Sequence, residues 1–210
     1  MPRSGTTIGK CQLCGHTADK TAMARHLRDC LPVHDVTGKN VLLTQLRFEA
    51  EEDSRYWLLL EAKADATLEQ LDALLRRVWL ECCGHMSAFY VDRRTELSKR
   101  SKLGAALSSQ GLKFRYEYDF GSTTSLTGKV LATRLGSAGR SAVRLLARND
   151  ALTWPCGECD ATATTVCPFC LDETGGLFCA THAEEHPHAE EEVYLPVVNS
   201  PRMGVCGYTG

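Results

Sequence analysis

The 210-residue sequence predicts an α+β fold, an antiparallel sheet with helices on one face, flanked by two small cysteine-rich ends. Three observations carry that prediction. The 43% apolar and 24% charged composition suits one ordinary soluble domain plus smaller modules. Between residues 40 and 150, segments of period-two alternation surround one amphipathic stretch of helical period. Nine of the eleven cysteines lie outside residues 39–150. The expected organisation is therefore 1–38, 39–150 and 151–210.

In the middle segment, VLLTQLRFEA sets Leu42, Leu46 and Phe48 against Leu43, Gln45 and Arg47, a half-buried strand. The acidic turn EEDS follows, and RYWLLLEA reads as its antiparallel partner. Thr67 and Gln70 have the form of a capping box, and Leu68, Leu71, Leu74, Leu75, Val78 and Trp79 trace one apolar stripe behind it. MSAFYV is a short strand, and TELSKRSKLGAALSSQ is a basic polar stretch with one helical turn. In GLKFRYEYDFG, Phe114, Tyr116 and Tyr118 share a face opposite Lys113, Arg115 and Glu117. SLTGKVLATRL and SAVRLLAR supply two further strands.

The opening MPRSGTTIGK leads into no apolar run, and the longest such run, Trp57 to Leu60, is too short for a membrane span or a signal-peptide core. A cytoplasmic protein with no membrane association is expected. In a reducing compartment, dense cysteine points to metal-bound thiolates rather than disulfides.

Near the N-terminus, Cys11 and Cys14 form one Cys-Xaa-Xaa-Cys knuckle, and His26 and Cys30 lie four residues apart on one helical face. Four such ligands close a tetrahedron about zinc. His16 is a substitute ligand just past the knuckle. The segment is too short to bury much apolar surface, so the metal is expected to supply much of its folding free energy.

The C-terminal end carries nine candidates for eight places: Cys156, Cys159, Cys167, Cys170, Cys179, His182, His186, His188 and Cys206. Two zinc ions are implied, making three per chain. In a cross-brace, Cys156 and Cys159 join Cys179 and His182, while Cys167 and Cys170 join His186 and His188. In a sequential arrangement, the four cysteines of the two knuckles share one ion. The cross-brace is preferred, because only seven residues separate the knuckles. Cys206 reads equally as a ligand or as a small buried hydrophobe.

These motifs carry three resemblances. CQLCGHTADKTAMARHLRDC resembles a Cys-Cys-His-Cys variant of the ββα zinc finger. Such fingers touch nucleic acid through their helix, which here implies Lys20, Arg25 and Arg28 as phosphate contacts. The C-terminal order of ligands resembles the B-box and MYND type of double-zinc module, which implies a protein-facing role. LEQLDALLRRVWLECCGHMSAFYV followed by KFRYEYDFGSTTSLTGKV resembles the plasmid pRiA4b open-reading-frame-three-like family over residues 40–135, which implies its fold and a mobile-element setting but no reaction. The chain departs from that family at Cys82 and Cys83, near Ser87, and at Ser122 to Thr124.

Charge divides the chain further. Residues 92–148 carry 12 basic and 4 acidic groups, whereas residues 149–210 carry 1 and 10. A basic middle meets a polyanion or the acidic tail; the tail itself is a poor phosphate binder. Arg93, Arg94, Lys99, Arg100, Lys102, Arg140 and Arg144 gathered on one surface would favour nucleic acid. The expectation is a zinc-stabilised interaction protein that binds nucleic acid through finger and middle segment and a protein through its acidic end. A purely protein-binding adaptor is the alternative, and a metal-dependent hydrolase centred on His85 and Asp119, with Glu117 or Cys83 beside them, is the remaining one. No catalytic residue or organic cofactor is assigned, and oligomeric state is open.

Overall fold

The structure, a computed structural model, describes residues 5–92, 95–171, 175–189 and 193–210. Two compact units divide the chain. One comprises the residues up to Arg77 together with Met86–Asp150; the other comprises Val78–His85 and Ala151–Gly210. None of the eleven cysteines is in a disulfide.

The first unit is built on a nine-stranded antiparallel sheet, which makes the fold the expected mixture of sheet and helix. Its strands are β1 (Ile8–Cys11), β2 (Thr17–Asp19), β3 (Val41–Ala50), β4 (Trp57–Lys63), β5 (Ser87–Val91), β6 (Thr95–Leu97), β7 (Lys113–Tyr118), β8 (Thr124–Gly136) and β9 (Val143–Asn149), in the order β2-β1-β9-β4-β3-β8-β7-β5-β6. β3 lies at the centre, and that position changes its burial. The expected half-buried alternation is not kept: Leu42 is 46% exposed, whereas Leu43, Thr44, Gln45 and Leu46 are all buried, because a central strand is covered on both sides. β7 keeps its expected alternation, with Phe114, Tyr116 and Tyr118 inside. β6 forms a short edge within the stretch read only as polar.

Among the described residues this unit has three helices: α1 (Lys20–Val33), α2 (Leu68–Leu75) and α3 (Leu103–Ala106). The Thr67 side chain accepts from Gln70 N and the Gln70 side chain returns to Thr67 N, so the capping box is present. The apolar stripe beyond it is not one uninterrupted α-helix. After Leu75 the chain passes into a single π-turn, Arg76–Leu80.

The N-terminal segment, expected as a separate module, belongs to this sheet. β1 pairs with β9, and α1 buries Met23, Leu27 and Leu31 against Trp57, Leu59, Leu146 and Ala147. Close approach is required there: a Cβ on Gly9 would lie 2.1 Å from Arg148 O and 2.6 Å from the Trp57 ring. Strand pairing shows which side α1 covers. Tyr116 pairs with Leu126, Leu126 with Ala50, and Phe48 with Leu58, so these share a face opposite that of Trp57. Tyr116 donates to Asp72 of α2 from that face, so α1 and α2 cover opposite sides.

Asp72 is the polar hub of this unit. Its Oδ1 accepts from the Tyr116 hydroxyl at 2.6 Å and from Ser87 Oγ at 2.7 Å; its Oδ2 accepts from Arg76 Nε at 3.0 Å and Lys99 Nζ at 3.1 Å. Burial pushes the carboxyl up, but the hydrogen bonds from Tyr116, Ser87 and Lys99 outweigh it and hold Asp72 below the usual aspartate range. A depressed folded-state value contributes stability above the ordinary aspartate value of about 3.9, lost as pH falls below it. The stability advantage of the wild type over Asp72→Asn, measured by urea unfolding, is therefore expected to shrink as pH is lowered from about 5 toward 2. A constant difference across that range would refute this account of the hub.

The second unit contains β10 (Thr165–Val166), β11 (Leu177–Phe178) and β12 (Leu195–Pro196) in the order β11-β10-β12, and the helix α4 (Ala180–Glu185). A core cluster within it consists of Cys156, Cys167, Phe178 and Ala183, with Cys170, Cys179 and Tyr194 packed on it. Four of those seven residues are cysteines, so ordinary apolar packing there is sparse.

Candidate metal centres

Four groups of four Cys and His side chains converge among the described residues, and within each group the ligand atoms lie within 4.8 Å of one another. Zinc at about 2.3 Å from sulfur and about 2.0 Å from nitrogen requires ligand-to-ligand edges of about 3.5 to 3.8 Å.

Cys11, Cys14, His26 and Cys30 form the first. The knuckle is closed by Gly15 N donating to Cys11 O at 3.0 Å, and α1 carries His26 and Cys30 one turn apart. Asp19 starts that helix by accepting from Thr21 N and Ala22 N. The Cys30 sulfur lies 3.9 Å from that of Cys11 and 3.7 Å from that of Cys14, and Cys14 Sγ is 3.2 Å from His26 Nε2. Burial and the neighbouring thiols push Cys30 up to about 12, so a cation is what would hold these sulfurs together as thiolates. Burial also lowers His26, favouring the neutral ring that ligates. His16 is outside the group; its ring stacks on His26 with centroids 4.2 Å apart.

The second and third groups interleave along the chain. Gly157 N donates to Leu177 O at 2.8 Å, which sets the Cys156/Cys159 knuckle beside the end of β11, where Cys179 and α4 begin. Cys179 and His182 then face that knuckle: His182 Nδ1 is 3.4 Å from the sulfurs of Cys156 and Cys179, and the Cys159 and Cys179 sulfurs are 4.0 Å apart. Burial pushes Cys156 up, but N–H groups of Cys179 and Glu158 and the His182 ring outweigh it and bring it down to about 6. Cys167 N donates to Gly176 O at 2.7 Å, so the second knuckle follows β10. A Cβ on Gly176, whose φ is +39°, would lie 2.6 Å from Cys167 O. His188 Nδ1 lies 3.4 Å from Cys167 Sγ and 3.5 Å from Cys170 Sγ, and His186 Nε2 lies 3.4 Å from Cys170 Sγ. The Phe178 ring supports His186 at 4.4 Å between centroids. These edges, 3.4 to 4.0 Å, lie close to those of a zinc tetrahedron, and the all-sulfur-and-imidazole donor sets disfavour hard cations that demand oxygen.

The fourth group, Cys82, Cys83, His85 and Cys206, was not among the expected ligand sets. Cys206, which reads equally as a ligand or a buried hydrophobe, is exposed, and so is Cys83. The Cys-Cys-Xaa-His spacing and the unclaimed ninth C-terminal candidate were the available signals, but they are more than 120 residues apart. Asp119, the other half of the proposed hydrolytic centre, has φ +62° and accepts from Gly121 N at 3.0 Å; no metal-capable group among the described residues contains it or Glu117.

The expected nucleic-acid contacts are differently placed. Lys20 pairs with Glu49 and donates to Ser54 O, Lys99 is held by Asp72 and Ser87, and Arg144 pairs with Glu61. Arg25, Arg28, Arg100, Lys102 and Arg140 are exposed. Arg93 and Arg94 lie outside the described residues. No helix among the described residues is long and apolar enough to cross a membrane.

The fold and these ligand sets define an α+β chain with four Cys/His groups that could hold metal ions. No protein-family model matches the chain. No curated protein matches it either. Among solved structures it is similar to the crystal structure of a protein of unknown function, MM3350 from Methanosarcina mazei Go1, at 14% identity and a TM-score of 0.40, covering 74% of this chain and 89% of that one.

Proposed function

We propose that this chain is a cytoplasmic, non-catalytic interaction protein of the plasmid pRiA4b open-reading-frame-three-like type, in which zinc holds the three foreseen Cys/His groups and nucleic acid is the first partner. The observation that carries the reading is the composition of those groups: each offers four protein ligands, and a catalytic zinc keeps one position for water or substrate. Arg25 and Arg28 stand exposed on α1, and Arg100, Lys102 and Arg140 add exposed charge in the same unit. Phosphate contact is the chemistry those groups serve.

In anisotropy titrations of the zinc-loaded chain against labelled duplex DNA and single-stranded RNA, log affinity is expected to fall linearly with log salt. Arg25→Ala with Arg28→Ala should reduce that slope by about 2, roughly one per phosphate contact. Binding that ignores salt, or a slope untouched by the double substitution, overturns the nucleic-acid role. A second reading, the protein-binding adaptor, is favoured by Phe169, 57% exposed beside the second C-terminal knuckle in a unit that exposes Glu158, Asp160, Glu184 and Glu185.

A further inference from the structure

We propose that Cys82, Cys83, His85 and Cys206 form a fourth zinc site, a clasp that joins residues 78–85 to the last turns of the C-terminal unit. His85 Nε2 lies 3.3 Å from Cys83 Sγ and 3.1 Å from Cys206 Sγ, and those two sulfurs are 3.3 Å apart. Cys82 Sγ completes a set in which every pair falls within 4.8 Å.

Local structure on both sides converges on that point. Gly84 N donates to Glu81 Oε1 at 2.6 Å, and Gly84 takes φ +76°, which folds two adjacent thiols and the histidine into one tight turn. On the other side, Val205 N donates to Arg202 O and Tyr208 N to Val205 O, two successive turns that present Cys206. Ser200 Oγ donates to Trp79 O at 2.5 Å, tying the two segments together beside the ligands.

Charge supplies a separate argument. Three thiolates and a neutral imidazole about Zn2+ leave one net negative charge. Arg202 is fully buried and donates from Nη2 to Cys82 Sγ at 3.6 Å. A zinc-held thiolate at Cys82 carries the negative charge that complements this guanidinium. Three soft sulfurs with one imidazole and no carboxylate select zinc over magnesium or calcium.

The clasp differs from the other three groups in access. Two of its ligands are exposed and none is buried, whereas each other group has at least one buried cysteine. Its ion is therefore the first to leave when a chelator is titrated in.

The test is zinc content by elemental mass spectrometry on the full chain, purified with reductant, for the parent and for Cys83→Ser with Cys206→Ser. The double variant is expected to hold one equivalent less than the parent, four falling to three. Equal content in the two proteins overturns the clasp whatever the absolute count, so failure at the other centres is read separately. Because serine variants can disturb folding, Cys206→His provides a second measurement. It should keep the parental metal count and, after cobalt substitution, shift the visible d–d absorption; an unchanged spectrum overturns the assignment. A Cys83–Cys206 cystine detected in the reduced preparation also overturns it.

Discussion

Cys167→Ser is expected to dismantle the C-terminal unit while sparing the sheet. Cys167 is fully buried, its sulfur lies 3.4 Å from His188 Nδ1, and it packs with Cys156, Phe178 and Ala183 in the unit's core cluster. Removing that sulfur removes a candidate ligand and a core residue together. A structural zinc contributes on the order of 10 to 16 kcal/mol in small finger domains, far beyond what a core of this size supplies by apolar burial alone. Limited proteolysis should then cut within residues 151–210 and leave a resistant fragment containing β3 to β9, with zinc content reduced. Chelation of the wild type should give the same fragment pattern. Termini as resistant as in untreated protein would contradict a metal-held unit. The N-terminal group should respond more mildly, because α1 keeps Met23, Leu27 and Leu31 in the sheet's core when its metal is gone.

Glu61→Ala is expected to be the most damaging single change in the sheet, costing about 3 to 5 kcal/mol in urea unfolding. The Glu61 side chain is 0% exposed and pairs with two guanidinium groups: Oε1 accepts from Arg134 Nε at 2.7 Å, and Oε2 from Arg144 Nη2 at 2.6 Å. Arg134 also pairs with Asp35 at 2.7 Å, which holds that carboxyl below the usual aspartate range. Truncation leaves two cations, each 15% exposed, with one of their carboxylates gone. Burying charge without its partner is what makes such losses large. A loss below about 1 kcal/mol, the scale of a surface ion pair, would show that water replaces the carboxylate without cost.

Both predictions rest on features that differ in how far the chain reveals them. Strand alternation in Lys113–Tyr118 and the capping box at Thr67 and Gln70 are local patterns, and they appear in the structure as their spacing suggests. The two-sided burial of β3 is not local: Leu42 and Leu43 look alike in sequence, and only a place at the centre of nine strands makes one of them 46% exposed and the other fully buried. The same holds for the N-terminal segment, whose finger-like spacing says nothing of β9, its partner some 140 positions on.

By itself the sequence determined the mixed fold, the antiparallel sheet, the cysteine-rich character of both ends and the density of acid at one of them, because spacing and composition act over a few residues. Tertiary structure alone decided between the cross-brace and sequential sharing of the C-terminal ligands, that Lys20, Lys99 and Arg144 are spent on internal carboxylates, and that Cys82, Cys83 and His85 meet Cys206. The physical reason is range. Coordination and ion pairing need atoms within a few ångströms, and when those atoms are separated by more than 120 residues, only the folded sheet and turns bring them there.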